Sequence, residues 1–204
     1  MKKILDNAIV DQSSSKLIDG GRKNNDDLTG HYIRNIVNNI CSNKGIKYLE
    51  IGLYRGGIFS SALFQNNIRA VGIDDWSQNW HNGESKLAFW SRIGPIIETN
   101  DVKIIDSDCW VENLLGDEKF NVYTFDGPHG WQDQYNALTK YIHNMEDQFI
   151  YIVDDYDKEK SPEVIDAVQS SIVDLKLNIL CEYTMPAGDG YHEGIYFSCL
   201  EKTK

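Results

Sequence analysis

Basic residues are scarce in this sequence. In 204 residues, 20 Lys and Arg stand against 31 Asp and Glu, for a formal net charge of −11. No basic run interrupts that balance, which argues against nucleic acid or an anionic membrane as a partner. Long apolar runs are missing too: none approaches the ~20 residues that a membrane-spanning helix needs. The opening "MKKILDNAIVDQSSS" starts basic, but Asp6 and Asn7 break it at once, so it does not read as a secretory leader. The four cysteines (Cys41, Cys109, Cys181 and Cys199) form no C-x-x-C pair and no zinc spacing with the five histidines. Cys181 and Cys199 sit where a late hairpin could oppose them, and they read as two reduced core thiols. These absences together give the expectation of a cytoplasmic protein. No internal repeat or low-complexity tract is evident. What remains, at 41% apolar and 25% charged residues, is an ordinary globular chain with enough length for one sizeable core.

Residues 1–26 are polar and read as an irregular extension, a frayed tail or a lid over a ligand. Residues 27–204 read as a single domain. A helix fits Leu28 to Cys41, with Ile33, Ile36, Val37 and Ile40 on one face. Strand-like runs follow at "KYLEIG", "RAVGID", "VKIID", "NVYTFD" and "QFIYIVDD". Between them lie helix candidates at Ile58–Gln65, Glu84–Ile93, Trp110–Leu115 and Trp131–Met145. A further helix opens with Ser161 as N-cap and Pro162 at the first helical position. It carries Val164, Ile165, Val168, Ile172 and Leu175 on its apolar face. Strands alternating with helices predict a parallel sheet covered on both faces. The ending differs. "LNILCEYTMPA", a "GDGYHE" turn and "GIYFSCLEK" predict two strands joined without a helix, an antiparallel hairpin that brings the sheet to seven strands.

Every parallel strand ends in acid. Strand one carries Glu50, strand two ends in Asp74-Asp75 and strand three in Asp106-Ser-Asp108. Strand four ends in Asp126 and strand five in Asp154-Asp155. Ligands of open parallel sheets bind beyond the carboxyl ends of the strands, where strand order reverses. One such acid is accounted for as a turn former or helix cap. Five together repel one another and call for a cationic ligand or a metal. "KYLEIGLYRGGIFSSALF", with glycines at 52, 56 and 57, then reads as a tight turn that admits a ligand close to the backbone. Asp74 lies 22 residues after Gly52, a suitable distance for an acid that accepts from ribose hydroxyls. The dinucleotide pattern G-x-G-x-x-G is absent, since Tyr54 stands two after Gly52, and a pyrophosphate would be repelled by Glu50 and Asp126.

At these residues the chain resembles the class I S-adenosylmethionine-dependent methyltransferases. "LEIGLYRGGIFSS" is similar to their E-x-G-x-x-x-G signature, "AVGIDDW" to their ribose-binding acid and "SDCW" to their adenine segment; the terminal hairpin is that fold's hallmark. The resemblance spans roughly Lys47 to Glu201 and implies a Rossmann-like, doubly wound, mostly parallel sheet with helices on both faces. It implies S-adenosylmethionine bound around Glu50, Gly52, Tyr54, Gly56 and Ser60 from the first turn. Asp74, Asp75 and Trp76 would join from the second, and Asp108, Cys109 and Asp126 from the third and fourth. "FDGPHGWQDQY" and "YIVDDY" further resemble the metal-dependent small-molecule branch, the macrocin-type O-methyltransferases and cephalosporin-hydroxylase-like proteins. That likeness implies Asp126, Asp154 and Asp155 as ligands of a divalent metal, hydrated magnesium being the hard ion such oxygens suit. The metal would bind a substrate hydroxyl, lower its pKa and hold it in line with the sulfonium methyl.

The second acid of D-G-D-H is Pro128 here, which puts the family's base in doubt and makes His129 the substitute, with Asp126 beside it. The plainer reading has His129 only capping the next helix. Trp76, Trp80 and Trp110 read as sandwiching an aromatic ligand or as filling core, and Trp90, in mid-helix, as core. "WSQNWHNGES" reads as a substrate loop in which His81 is solvated. The leading function is methyl transfer to a hydroxyl of a small molecule. A non-methylating protein that binds the nucleoside is the second, favoured by Pro128, and a nicotinamide-dependent oxidoreductase the third. The acceptor's identity and the oligomeric state are left open, since exposed aromatics fit a homo-oligomer and a pocket equally.

Overall fold

Tyr48 and Leu49 are neighbours in sequence but pack on opposite faces of one sheet, and that alternation organises the fold. The computed structural model describes residues 1–19, 29–78, 83–188 and 193–203. Its strands are β1 (Lys47–Ile51), β2 (Arg69–Asp74), β3 (Asp101–Asp106), β4 (Phe120–Phe125), β5 (Met145–Asp154), β6 (Leu177–Met185) and β7 (Ile195–Lys202). Among the described residues they form one seven-stranded sheet in the order β3-β2-β1-β4-β5-β7-β6. The pairs from β3 through to β5 are parallel, while β7 runs antiparallel to both β5 and β6. The sequence pattern predicts this seven-stranded, mostly parallel sheet, and the structure shows it.

On one face, Tyr48, Val122, Ile150 and Phe197 pack against helices α1 (Lys2–Val10), α3 (His31–Cys41), α4 (Gly57–Leu63) and α5 (Glu84–Ile97). On the other, Leu49, Tyr123, Tyr151 and Tyr196 pack against α6 (Trp131–Tyr141) and α7 (Pro162–Asp174). A short α2 (Lys16–Asp19) precedes α3. Strands covered on both faces read as continuous apolar runs. β4 is buried at every residue, whereas the edge strands β3 and β6 alternate toward solvent. Ile33, Ile36, Val37 and Ile40 are all fully buried, as their helical spacing requires. The polar Asn38 beside them is also buried, and its Nδ2 donates to the Ser61 and Phe64 carbonyls, tying α3 to α4.

Several local expectations are corrected. The chain start is not irregular: Lys2–Val10 is helical, with Leu5 and Ala8 buried in the first core and Asp6 accepting from the Tyr183 hydroxyl at 2.8 Å. The part of the expected lid from 20 to 26 lies outside the described residues, as do Trp80, His81 and most of the "GDGYHE" turn. Trp110–Leu115 is a set of turns rather than a helix. Asp108 accepts the Trp110 N–H at 2.8 Å, and Asn113 adopts φ 57°, which ends any helix there. Helix α5 runs past Ile93 and through Pro95 because Ile96 and Ile97 add to the first core. Trp90 is not core: it is 43% exposed, and its neighbour Phe89 is the buried ring. Ser161 occupies the N-cap of α7 without a side-chain cap bond, while Pro162 opens the helix as expected. Cys181 and Cys199 do pair in register across β6 and β7, both as free thiols, with Cys199 buried and Cys181 half-buried. No helix among the described residues is long and apolar enough to cross a membrane.

Candidate cofactor and acceptor site

The order of strands reverses between β1 and β4, which parts the crossover connections and opens a crevice at their carboxyl ends. A cavity of about 570 Å³ lies there, within the roughly 300–1,000 Å³ typical of small-molecule sites. Its walls include Glu50, Gly52, Tyr54, Asp74, Asp75 and Trp76 from the turns after β1 and β2. Ser107, Asp108, Cys109 and Trp110 come from the turn after β3, and Asp126, Pro128, His129, Asp154 and Asp155 from those after β4 and β5. The topology therefore brings together nearly all the residues singled out from the sequence. Two stand apart. Gly56 and Ser60 do not line the cavity; the Ser60 hydroxyl turns back to the Gly57 carbonyl at 3.2 Å inside α4.

The glycine turn is shaped by the protein itself. Gly52 has φ 86°, and a side chain there would put Cβ 1.9 Å from the Asp126 carbonyl oxygen. The same two segments are laced by the Asp126 N–H donating to Ile51 O at 2.8 Å. Gly56 has φ 77°, and its Cβ would meet the Phe89 ring at 2.7 Å. What lies against these glycines is thus backbone and core, although Gly52 also lines the cavity.

Two acids hold this turn in place. Glu50 is 1% exposed and accepts hydrogen bonds from the Tyr48 hydroxyl and from the Phe59 N–H in the first turn of α4. The Thr124 hydroxyl in turn donates to the Tyr48 oxygen, with Oγ1 3.0 Å away. Burial pushes the Glu50 carboxyl up to about 8, against the lowering effect of those donors. Asp74 accepts three backbone N–H groups: Leu53 at 2.6 Å, Tyr54 at 2.8 Å and Trp76 at 2.6 Å. It clamps the first turn to the second. Asp75 is exposed beside it and takes the N–H of Ser77 at 2.9 Å. Tyr48 was not legible as a site residue, yet its spacing of two from Glu50 places both on one side of β1, and Thr124 is Glu50's register partner on β4.

The acids after β4 and β5 are differently placed. Asp126 and Asp154 lie side by side, and the charge of each bears on the other. Burial first, then the charges of Asp154, Asp155 and Glu50, hold Asp126 well above the usual carboxylate range. Burial likewise raises Asp154, which is 7% exposed and whose Oδ1 has no hydrogen-bond partner. Asp155 adopts φ 54°, and its Oδ2 lies 3.3 Å from His129 Nδ1, an electrostatic contact without hydrogen-bond geometry. Tyr54 and Trp76 share that left-handed backbone, at φ 47° and 49°, so three strained residues line one cavity. Glu193, a wall residue that the sequence reading missed, pairs with Lys160.

The oxygens of Asp126, Asp154 and Asp155 have the right chemistry for a hard cation but not the arrangement. Asp126 and Asp154 lie beside each other and Asp155 faces His129. Among the described residues no group of three or more His, Cys, Asp or Glu side chains is placed to hold a metal ion. The three-ligand magnesium site that the resemblance implies is therefore not assembled in this structure.

No family model matches the chain, and no curated protein matches its sequence. Solved structures match its fold. A Streptococcus mutans protein described as an S-adenosylmethionine-dependent methyltransferase superposes with a TM-score of 0.59 at 9% identity; the match covers 84% of this chain and 48% of that one. The chain thus spans about half of that protein's length. The O-methyltransferase TomG of Streptomyces achromogenes, involved in tomaymycin synthesis and solved in complex with S-adenosylmethionine, gives 0.54 at 12% identity over 84% of this chain and 78% of that one. A Pyrococcus horikoshii protein described as an RNA methyltransferase gives 0.54 at 12% over 84% and 83%. The fold is the Rossmann-like fold of methyltransferases, and proteins sharing it carry descriptions with different acceptors.

Proposed function

We propose that this chain is an S-adenosylmethionine-dependent methyltransferase that methylates a hydroxyl group of a small molecule. The observation that carries this reading is the composition of one cavity. It lies at the switch point of the sheet, and its described walls hold eight acidic side chains and no Lys or Arg. That lining disfavours a pyrophosphate and suits a nucleoside bearing a sulfonium and an ammonium. It equally disfavours the phosphates of RNA as acceptor. Asp75 and the turn Ser107–Trp110 would hold the nucleoside, and the backbone of Gly52–Tyr54 the amino-acid end.

In the transfer, the acceptor oxygen forms a bond to the methyl carbon while the carbon–sulfur bond breaks toward the sulfur, leaving a neutral thioether. The protein's part is to align the oxygen and remove its proton. His129 would perform the second task. Asp155 lies against its Nδ1 and would stabilise the imidazolium formed when Nε2 takes the proton. Pro128 removes the family's acid from this stretch and leaves the imidazole as the base. Metal assistance through Asp126, Asp154 and Asp155 is a finer version of the reading, and no step above depends on it.

Isothermal titration calorimetry with S-adenosylhomocysteine, run with and without magnesium and against reduced nicotinamide cofactor, tests the reading. Binding of the homocysteine compound without metal is expected, and no binding of the nicotinamide. Binding followed by no methyl consumption across hydroxylated acceptors would favour the nucleoside-binding alternative that Pro128 suggests. Failure to bind in either condition would remove the cofactor class altogether.

A further inference from the structure

Glycine takes up left-handed backbone freely, whereas tyrosine and tryptophan do so at a cost. Tyr54 and Trp76 nevertheless adopt φ 47° and 49°, and both line the cavity. Strain of this kind persists only where the surroundings over-determine it. Here the surroundings are a closed ring of hydrogen bonds between the turns after β1 and β2. The Tyr54 N–H donates to Asp74 Oδ2 at 2.8 Å and the Trp76 N–H to Asp74 Oδ1 at 2.6 Å. The Trp76 indole Nε1–H closes the ring by donating to the Tyr54 carbonyl at 2.9 Å. Both backbone polar groups of Tyr54 are thus bonded to the second turn, and the first turn takes its shape from it. The indole itself is firmly seated. Phe89 packs against it with ring centroids 5.4 Å apart, and Lys86 Nζ lies over the ring at 5.0 Å while pairing with Asp106.

We propose that Trp76 is a positioning residue of this cavity. Its indole N–H holds Tyr54 in the left-handed conformation, so that the wall for the amino-acid end of the cofactor is formed before the cofactor arrives. This rests on the cofactor reading of the same cavity and names the side chain that shapes it. Asp74 alone would keep the Tyr54 N–H but leave its carbonyl loose. Without the indole bond, Tyr54 relaxes toward ordinary backbone, the binding-competent shape becomes a minor population, and the apparent affinity falls in proportion.

The test is Trp76→Phe in the full chain, which keeps a ring for Phe89 and Lys86 and removes the N–H. Two readouts separate the clamp from the cofactor. In the ligand-free chain, amide hydrogen exchange followed by NMR should quicken about tenfold at Leu53 and Tyr54, with protection along β1 kept. In calorimetry, the affinity for S-adenosylhomocysteine should fall about tenfold. In a Tyr54→Gly background the same Trp76→Phe substitution should change the affinity by less than about twofold, because glycine needs no support at that φ. Unchanged affinity in Trp76→Phe, whatever happens to exchange or melting temperature, would make Trp76 structural only and overturn the inference. An affinity loss without faster exchange, or the same loss in both backgrounds, would mean that Trp76 touches the ligand itself, and overturns it as well. Failure of S-adenosylhomocysteine to bind the unmutated chain is a separate result: it sinks the cofactor reading, and the exchange rates then uphold or overturn the clamp by themselves.

Discussion

The two halves of the strand-end rim carry the same functional group and use it in opposite ways. After β1 and β2, Glu50 and Asp74 are surrounded by donors: a tyrosine hydroxyl and the backbone N–H groups of residues 53, 54, 59 and 76. These acids are fasteners that fix the turn on which a ligand would rest. After β4 and β5, Asp126 and Asp154 chiefly meet each other, and one oxygen meets nothing. These lack that backing. The lesson is that an acid at a strand end becomes structural when the following turn aims N–H groups back at it. It is left without such donors when the turn leads away. Sequence position alone does not separate the two cases.

Substitutions can break that comparison at its hinge or sharpen each side. The largest effect is expected from Gly52→Ala, where the two halves touch. The added Cβ would fall on the Asp126 carbonyl in a left-handed conformation, and a loss of at least about 3 kcal/mol is expected in denaturant unfolding. A loss below about 1 kcal/mol would mean that the contact between the halves is not tight. Asp74→Asn keeps the shape but loses the charge on three N–H bonds; about 1–3 kcal/mol of stability should go, with weaker S-adenosylhomocysteine binding in the same calorimeter.

Glu50 gives a pH signature. Its folded carboxyl sits at about 8 against an ordinary 4.5, so between these values the folded chain keeps a proton that the unfolded chain has released. Stability therefore falls as pH rises through that window, by something on the order of 1–3 kcal/mol. Asp126 and Asp154, also raised, add slope of the same sign. Glu50→Gln should flatten the decline in melting temperature over that range, and an unchanged slope would show that Glu50 is ionised in the fold. On the other half the sign reverses. Asp154→Asn removes a buried repulsion and should raise stability by up to about 1 kcal/mol, where a fastener would have lowered it. Smallest is Ser60→Ala, whose hydroxyl serves only α4; S-adenosylhomocysteine affinity should stay within about twofold.

Much of this was legible before any coordinates. Double-sided burial makes strands 1, 2, 4 and 5 read as apolar runs, and turn residues mark their ends, so sheet and hairpin follow from the pattern. The strand-end acids could be placed on one rim because parallel strands all end on the same side. What escaped is what periodicity does not encode. Leu5 and Ala8 bury a helix whose composition is polar, because its narrow apolar stripe needs only α3 and β7 to cover it. Trp90 and Phe89 are adjacent aromatics on one helix, and only the packing of Phe89 against Gly56 and Trp76 decides which turns inward. The role of the Tyr48 hydroxyl follows only from the partner strand, which sets Thr124 beside Glu50. The division of labour among the acids depends on turn geometry, set by left-handed residues such as Tyr54 and Trp76 that no local preference announces.

The place of β7 bears on how the chain is made. It fills the gap between β5 and β6 although both precede it in sequence. While a ribosome is still delivering residues before Ile195, β5 has one edge unpaired and β6 has no sheet to join. The second edge of β5 stays available to any other extended chain nearby until the last strand slides in. Yet β5 ends in Asp154 and Asp155, so the far wall of the cavity is not fixed until that closing step. The acids that lack backbone donors are thus also the last part of the rim to acquire their final positions.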